Sequence, residues 1–315
     1  MRKLASILSW EAEETEFNKI FILGAGAIGS VYGAFLSGKN DVVLVGNKNH
    51  VKAIREKGLQ MVGEVNKNFK VKAETRISEI PTKALVVLTT KAYDSERAVE
   101  SIKRLLKEDT VILVLQNGLG NEKIVKKIVG EKVKVFRGIT SMAAEFLEFG
   151  KVRFWNGETT LEKSLVTRKI AEIFNESGLK TFLAEDIRKE VWKKLVLNCV
   201  VNPLTAIFGV RNCEICGEEL KWIRHEIIKE CMEVGKAEKI EFEPNFEEEI
   251  ERKIGKYTNF SSMYQDILKG KKTEIDFLNG KIVELGRFHG IKTPVNETIF
   301  HLIKFLEVRK CGLMN

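Results

Sequence analysis

Lys194, Asn198 and Asn202 stand four residues apart in the stretch from Trp192 to Ile207, where almost everything around them is apolar. At about 100° per residue, a helix carries these three side chains on one face within an arc of roughly 80°. A buried polar stripe costs free energy unless each group is paired, so this face is expected to line a polar cavity or a ligand. The chemistry it supports is addition to a carbonyl. Negative charge then builds on the oxygen and needs a proton donor or a cationic hydrogen bond within about 3 Å, and Lys194 supplies both. An unperturbed lysine titrates near 10.4, is charged at neutral pH, and donates more readily if burial lowers that value. The competing reading is a surface lysine beside asparagine caps. Pro203 removes a helical hydrogen bond and is expected to bend this helix.

A second group of residues handles phosphate. Gly24-Ala25-Gly26-Ala27-Ile28-Gly29 directly follows an apolar run and opens a helical one, the setting in which a Gly-x-Gly-x-x-Gly pattern is specific for a dinucleotide. Gly24 permits the tight turn, Gly26 lets a pyrophosphate approach the backbone, and Gly29 lets helix and strand pack closely. The helix N-terminus adds unpaired N–H groups and the positive end of its dipole. After the second apolar run comes Val45-Gly46-Asn47-Lys48-Asn49-His50, with no carboxylate to take the ribose hydroxyls. Lys48 can pair with a 2′-phosphate, so NADP(H) is favoured over NAD(H); the alternative for Lys48 is a solvated surface charge. None of the four His residues sits in a comparable motif, which argues against a His-based hydroxy-acid dehydrogenase.

The elements that must hold these groups follow from periodicity. From Lys19 onward, short apolar runs alternate with helical stretches: strands at Ile20–Leu23, Val42–Val45, Ala84–Thr89, Val111–Leu115 and Val133–Phe136, helices at Ala27–Leu36, from Val51, Ser95–Leu106 and Asn121–Ile128. This is an α/β pattern, an N-terminal Rossmann-type doubly wound parallel sheet. Near residues 183–188 the strand signal stops and helical periodicity continues to Glu307. The chain is therefore divided into an N-terminal extension (1–18), a dinucleotide-binding domain (19–185) and an all-helical substrate and catalytic domain (186–315), with the active site expected at the cleft where the last two meet.

Composition excludes other classes. Hydrophobic residues make up 44% and charged residues 30% of the 315, as in ordinary globular proteins. The net charge of +8 is dispersed, with acidic and basic residues alternating, so nucleic acid is not an expected partner. No stretch reads as a membrane span or signal peptide, and a cytoplasmic location is expected. Five cysteines, unevenly placed, imply no disulfide framework. Cys213 and Cys216 have redox or zinc spacing, but with no second pair or neighbouring His they read as ordinary thiols, and no metal is expected.

Several motifs taken in order resemble the ketopantoate reductase family: Gly24–Gly29, Thr90-Lys91-Ala92-Tyr93, Gln116-Asn117-Gly118-Leu119-Gly120, Trp192–Ile207, and Asn259-Phe260-Ser261-Ser262 through Thr273-Glu274-Ile275-Asp276. The resemblance runs from Gly24 to about Lys304. It implies NADPH-dependent reduction of 2-dehydropantoate (ketopantoate) to (R)-pantoate, in pantothenate and coenzyme A biosynthesis. By resemblance, Lys194 is the proton donor and Glu274 and Asn117 complete the catalytic set. Gly24 to Gly29, Asn47, Lys48, Lys91, Asn117, Ala144 (through its backbone) and Glu274 contact the cofactor; Asn117, Lys194, Asn198, Asn202, Asn212, Asn259 and Ser262 contact the substrate. The chain has Asn47 where the family often has an Arg for the 2′-phosphate. Glu274 also fits a plain role as an acidic residue opening a capped helix. The expected partner is a small-molecule substrate, and a homodimer is the assembly carried forward. The alternatives are a related 2- or 3-hydroxy acid dehydrogenase of the same two-domain plan and a dinucleotide sensor without catalysis.

Overall fold

The computed structural model describes residues 16–311, so most of the N-terminal extension lies outside the described residues. The chain forms two compact units that divide near Ile187, and the short segment Asn117–Gly120 packs with the second unit rather than the first.

The strands of the first unit are β1 (Lys19–Leu23), β2 (Val42–Val45), β3 (Leu59–Gly63), β4 (Lys67–Phe69), β5 (Lys72–Glu74), β6 (Ala84–Leu88), β7 (Val111–Val114), β8 (Lys134–Thr140), β9 (Ala143–Glu148), β10 (Lys151–Trp155), β11 (Thr159–Glu162) and β12 (Thr181–Ala184). Its helices are α1 (Ala27–Leu36), α2 (Lys48–Lys57), α3 (Ser95–Ile102), α4 (Asn121–Val129) and α5 (Leu165–Glu176). Eight strands form the main sheet in the order β12-β11-β8-β7-β6-β1-β2-β5. From β5 to β8 all neighbours are parallel, and β11 then joins β8 antiparallel. The parallel strands are continuous apolar runs because both of their faces are buried. Along β1, Ile20 and Ile22 enter one core with Val31 and Tyr32, while Phe21 and Leu23 enter the other with Val99 and Val125.

The sequence reading expects a purely parallel sheet; the antiparallel β11 is a departure from it. A second sheet, β4-β3-β10-β9, is the other departure. Strands such as β4 (Lys-Asn-Phe) and β5 (Lys-Ala-Glu) carry too few buried side chains for alternation to declare them. Their pairing comes from their neighbours.

The second unit has no strand among its described residues. Its helices are α6 (Ile187–Phe208), α7 (Lys221–Ala237), α8 (Phe246–Ile254), α9 (Ser262–Leu268), α10 (Asn279–His289) and α11 (Pro294–Cys311). Helix α6 is long and apolar enough to cross a membrane by length and composition, which the sequence reading does not anticipate, but 67% of that apolar window is buried inside the protein. It is the core helix: Trp192, Leu195, Val196, Cys199 and Val200 pack against Ile227, Ile228, Val234 and Ile282. It continues through Pro203 and ends at Gly209, whose φ of +71° a side chain rarely adopts.

Candidate active site

The strand order of the doubly wound sheet reverses between the parallel neighbours β1 and β6, and the loops leaving these two strands touch. A Cβ added to Gly24 (φ +117°) would lie 2.4 Å from Thr90 N, and one on Gly29 would lie 2.1 Å from Gly24 O. Gly24 and Gly29 are thus compelled by packing. Gly26 differs: a Cβ there meets nothing within 4 Å, and the residue is exposed. The opening of α1 therefore presents bare backbone to open space, which fits a pyrophosphate at a helix N-terminus. Thr89 Oγ1 donates to Gly24 O at 2.9 Å and holds the turn in shape. Ala25 is buried, Ala27 and Ile28 open α1, and Lys91 is half-buried at the start of the short helical turn Ala92–Asp94.

At the end of β2, Asn47 caps α2: its side chain accepts the His50 N–H at 2.9 Å. Lys48 is exposed in the first turn. Glu74 stands opposite Val45 across the β2–β5 pair, and its carboxylate is ion-paired with Arg55. His50 itself is buried. The Gly150 N–H donates to its Nδ1 at 3.0 Å, so Nε2 carries the proton and faces Ser30 Oγ at 3.0 Å. Burial holds this imidazole down at about 4. Ala144 is half-buried on β9, and that strand packs against α1.

In the second unit, the Asn117–Gly120 segment lies against the residues after Glu274. Gly118 (φ +85°) has no room for a side chain, since a Cβ would sit 2.7 Å from Phe277 Cβ, and the Leu119 N–H donates to Phe277 O at 3.3 Å. This contact brings Asn117 Nδ2 to 3.4 Å from Glu274 Oε2. Glu274 is only 6% exposed and makes no capping bond. The Ile275 N–H goes to Thr273 Oγ1 at 3.2 Å, so Thr273 makes the cap-type bond and Glu274 stands at the opening of the short turn Ile275–Phe277.

Along α6, Lys193 is held by carboxylates. Lys193 Nζ lies 2.8 Å from Glu243 Oε1 and 3.5 Å from Glu190 Oε1. Burial pulls the Lys193 ammonium down, but the two carboxylates outweigh it and hold it above its usual value; the hydrogen bond from Lys193 holds Glu243 at about 2. Lys194 and Asn198 are half-buried, and Asn202 is buried at 7% exposure. Two hydrogen bonds gather the remaining residues at the end of this helix. Thr205 Oγ1 donates to Ser261 Oγ at 2.7 Å, which fixes the turn opening α9 at Ser262, and the Asn212 N–H donates to Asn259 O at 3.1 Å. Asn259 Nδ2 meets Phe260 O at 3.1 Å. Asn212 Oδ1 is buried with no hydrogen-bond partner, an arrangement that costs about 1–3 kcal/mol unless something else supplies the donor. Cys213 and Cys216 are half-buried free thiols in the turn Asn212–Cys216.

Sequence reasoning passes over the residues that brace these groups. Thr89, Thr205 and Ser261 act through hydrogen bonds to partners 56 or 65 positions away, which no local pattern announces.

Comparison with known proteins gives a consistent picture. Residues 20–164 match the family model described as "Ketopantoate reductase PanE/ApbA", and residues 186–307 match "Ketopantoate reductase PanE/ApbA C terminal". A 2-dehydropantoate 2-reductase of Pyrococcus abyssi is 37% identical over 295 residues, covering 91% of this chain and 97% of that protein. The crystal structure of a PanE/ApbA family ketopantoate reductase from Ralstonia eutropha superposes with a TM-score of 0.85 at 29% identity, over 93% of this chain and 99% of the other. A D-mandelate dehydrogenase solved with NADH and anilino(oxo)acetate gives 0.86 at 30% identity, with the same coverage of both chains.

Proposed function

The chain belongs to the ketopantoate reductase family, and from that premise we infer that it is a 2-dehydropantoate 2-reductase, reducing the 2-keto group of ketopantoate to the (R)-alcohol at the expense of NADPH. The observation that carries the substrate assignment is the unspent polarity of the second unit: a buried Asn212 Oδ1 with no partner, in a residue whose backbone N–H is bonded to Asn259. Amides and a hydroxyl suit the carboxylate and hydroxyl of a small branched keto acid.

The bound nicotinamide supplies the hydride for C2. The protein's part is the proton and the geometry. Lys194 donates to the carbonyl oxygen as charge develops there, and its ammonium stabilises the alkoxide until the proton moves. Lys193 cannot share this task while Glu243 and Glu190 hold it. Glu274 accepts from Asn117 Nδ2, which fixes the amide beside the reacting centre. Asn198, Asn202, Asn212, Asn259 and Ser262 hold the substrate. In the first unit, Gly24 to Gly29 take the pyrophosphate, Lys91 and the Ala144 backbone lie along the cofactor, and Lys48 and Asn47 receive the 2′-phosphate. No carboxylate stands in the Gly46–His50 stretch that follows β2, and Glu74, opposite Val45 on β5, is paired with Arg55; both features favour NADPH. We assign cofactor binding to residues 19–185 and substrate binding and catalysis to 186–315, in a cytoplasmic homodimer without a metal.

NADPH oxidation followed with 2-dehydropantoate is the deciding assay. The similarity to a D-mandelate dehydrogenase solved with NADH supports a second reading, a related 2-hydroxy acid dehydrogenase. A kcat/KM higher for an aromatic 2-keto acid with NADH than for 2-dehydropantoate with NADPH would establish that reading instead.

A further inference from the structure

Arg137 is a buried cation, 3% exposed, that none of the functions assigned above employs. It lies on β8 opposite Val114, at the point where β7 and β8 stop pairing. Its guanidinium takes over from the lost ladder. Nη1 donates to the carbonyls of Val114 at 2.9 Å and Gly138 at 2.7 Å, and Nη2 donates to the carbonyl of Gln116 at 2.7 Å. Nε faces Glu122 Oε2 at 3.6 Å. Burial lowers its pKa to about 10, against the pull of Glu122 and Glu162, so it stays protonated at neutral pH.

A desolvated guanidinium is a costly way to fill space, and an apolar side chain of similar volume often serves stability as well or better. What the guanidinium adds is a planar, rigid fork of donors that fixes several carbonyls at once. One of them matters for chemistry. The peptide joining Gln116 to Asn117 is planar, so fixing the Gln116 carbonyl toward Arg137 also fixes the direction of the Asn117 N–H. The Gln116 side chain anchors the same residue from another side, with Nε2 donating to Thr90 O at 2.8 Å and Oε1 accepting from Ser95 Oγ at 3.0 Å.

We propose that Arg137 is a positioning residue for the reduction: by gripping the Gln116 carbonyl it sets the angle at which Asn117 is presented to the reacting centre. This rests on the role given to Asn117 above. Asn117→Ala tests that role separately by its own loss of kcat, wild-type turnover of 2-dehydropantoate tests the reductase reading, and the Arg137 effect is read as a ratio to wild type on whichever 2-keto acid the wild type reduces best.

The test compares Arg137→Met and Arg137→Lys with wild type for kcat per folded active site, for NADPH affinity by fluorescence titration, and for the isotope effect with NADPH deuterated at C4. The expected result for Arg137→Met is a kcat lower by about 10–100-fold, the scale on which small misplacements act. NADPH affinity should stay within threefold, because the Gly24–Gly29 loop is untouched, and the isotope effect should rise as hydride transfer becomes limiting. Arg137→Lys keeps the charge but not the fork and should fall between the two. A merely structural arginine would lower the folded fraction and leave kcat per site and the isotope effect unchanged; that result overturns the proposal. Should Arg137→Met not fold, Arg137→Lys is judged by the same criteria.

Discussion

Asn279 Nδ2 donates to the carbonyl of Cys199 at 3.0 Å, the carbonyl that Pro203, having no N–H, leaves without its helical donor. The proline inside α6 is thus tolerated because a side chain from α10 does the work of the missing amide. The same Nδ2 donates to Asn296 Oδ1 at 2.9 Å, and Asn296 is in turn bonded to Glu230. All three side chains are buried.

Replacing Asn279 with Ala should therefore destabilise the protein by about 2–4 kcal/mol, since two buried acceptors lose a donor. In a Pro203→Ala background the Cys199 carbonyl regains a backbone N–H, and the same substitution should cost about 1 kcal/mol less. Urea unfolding of the four proteins gives the coupling directly. Equal costs in both backgrounds would show that Asn279 does not compensate for the proline.

Legibility in the sequence followed a physical rule. β1, β2, β6 and β7 are buried on both faces and stand out as apolar runs, and the Gly24–Gly29 loop announces itself because steric demands leave no choice of residue. Helical rotation sets Lys193 about 100° from Lys194, and Lys193 is the lysine paired with Glu243. The return of Asn117–Gly120 to the helical unit was not readable, because it depends on contact with Phe277, far along the chain. Arg137 and Asn279 were hidden for the same reason: each serves carbonyls whose need arises only in the folded chain. The spacing of Thr273 to Asp276 announced the short helical turn at Ile275–Phe277 with Glu274 at its opening, and Thr273 makes the bond to Ile275 N–H.

His50 makes the first unit sensitive to acid. In the folded protein it titrates at about 4, because burial disfavours the imidazolium, whereas the unfolded chain takes up that proton near 6.5. The stabilisation is complete above pH 6.5, falls as pH drops from 6.5 toward 4, and changes no further below that. The loss is on the order of 3 kcal/mol at most. Unfolding free energies measured between pH 7.5 and 4.5 should slope downward in wild type and less steeply in His50→Gln. Parallel slopes would remove His50 from the explanation.

Lys48 should discriminate between cofactors. Removing its charge weakens attraction to a 2′-phosphate and leaves the ribose hydroxyls of NADH alone. For Lys48→Ala, kcat/KM with NADPH is expected to fall by about 3–30-fold, equivalent to roughly 0.7–2 kcal/mol, with little change for NADH. The NADPH deficit should shrink at high ionic strength, because an exposed charge is screened. A loss equal for both cofactors would place Lys48 outside the phosphate site.

Lys194 carries the sharpest prediction, because its neighbour is a built-in control. Lys194→Ala removes the proposed proton donor while the glycine loop stays intact, so kcat should drop by about 10²–10⁴ with NADPH affinity unchanged. Lys193→Ala removes a cation that Glu243 and Glu190 already hold. Its cost should appear in stability, about 1 kcal/mol or less, since Glu243 is one-third exposed and solvent screens the pair. That contribution depends on a Glu243 carboxyl held at about 2. It is present above the ordinary carboxyl range and fades as pH falls toward 2, so the two stability curves should converge in acid. The kinetics then decide the register of the helix. If Lys193→Ala loses turnover and Lys194→Ala keeps it, the reactive face of α6 is turned by one residue; if neither changes, the proton reaches the alkoxide from Glu274 or from solvent.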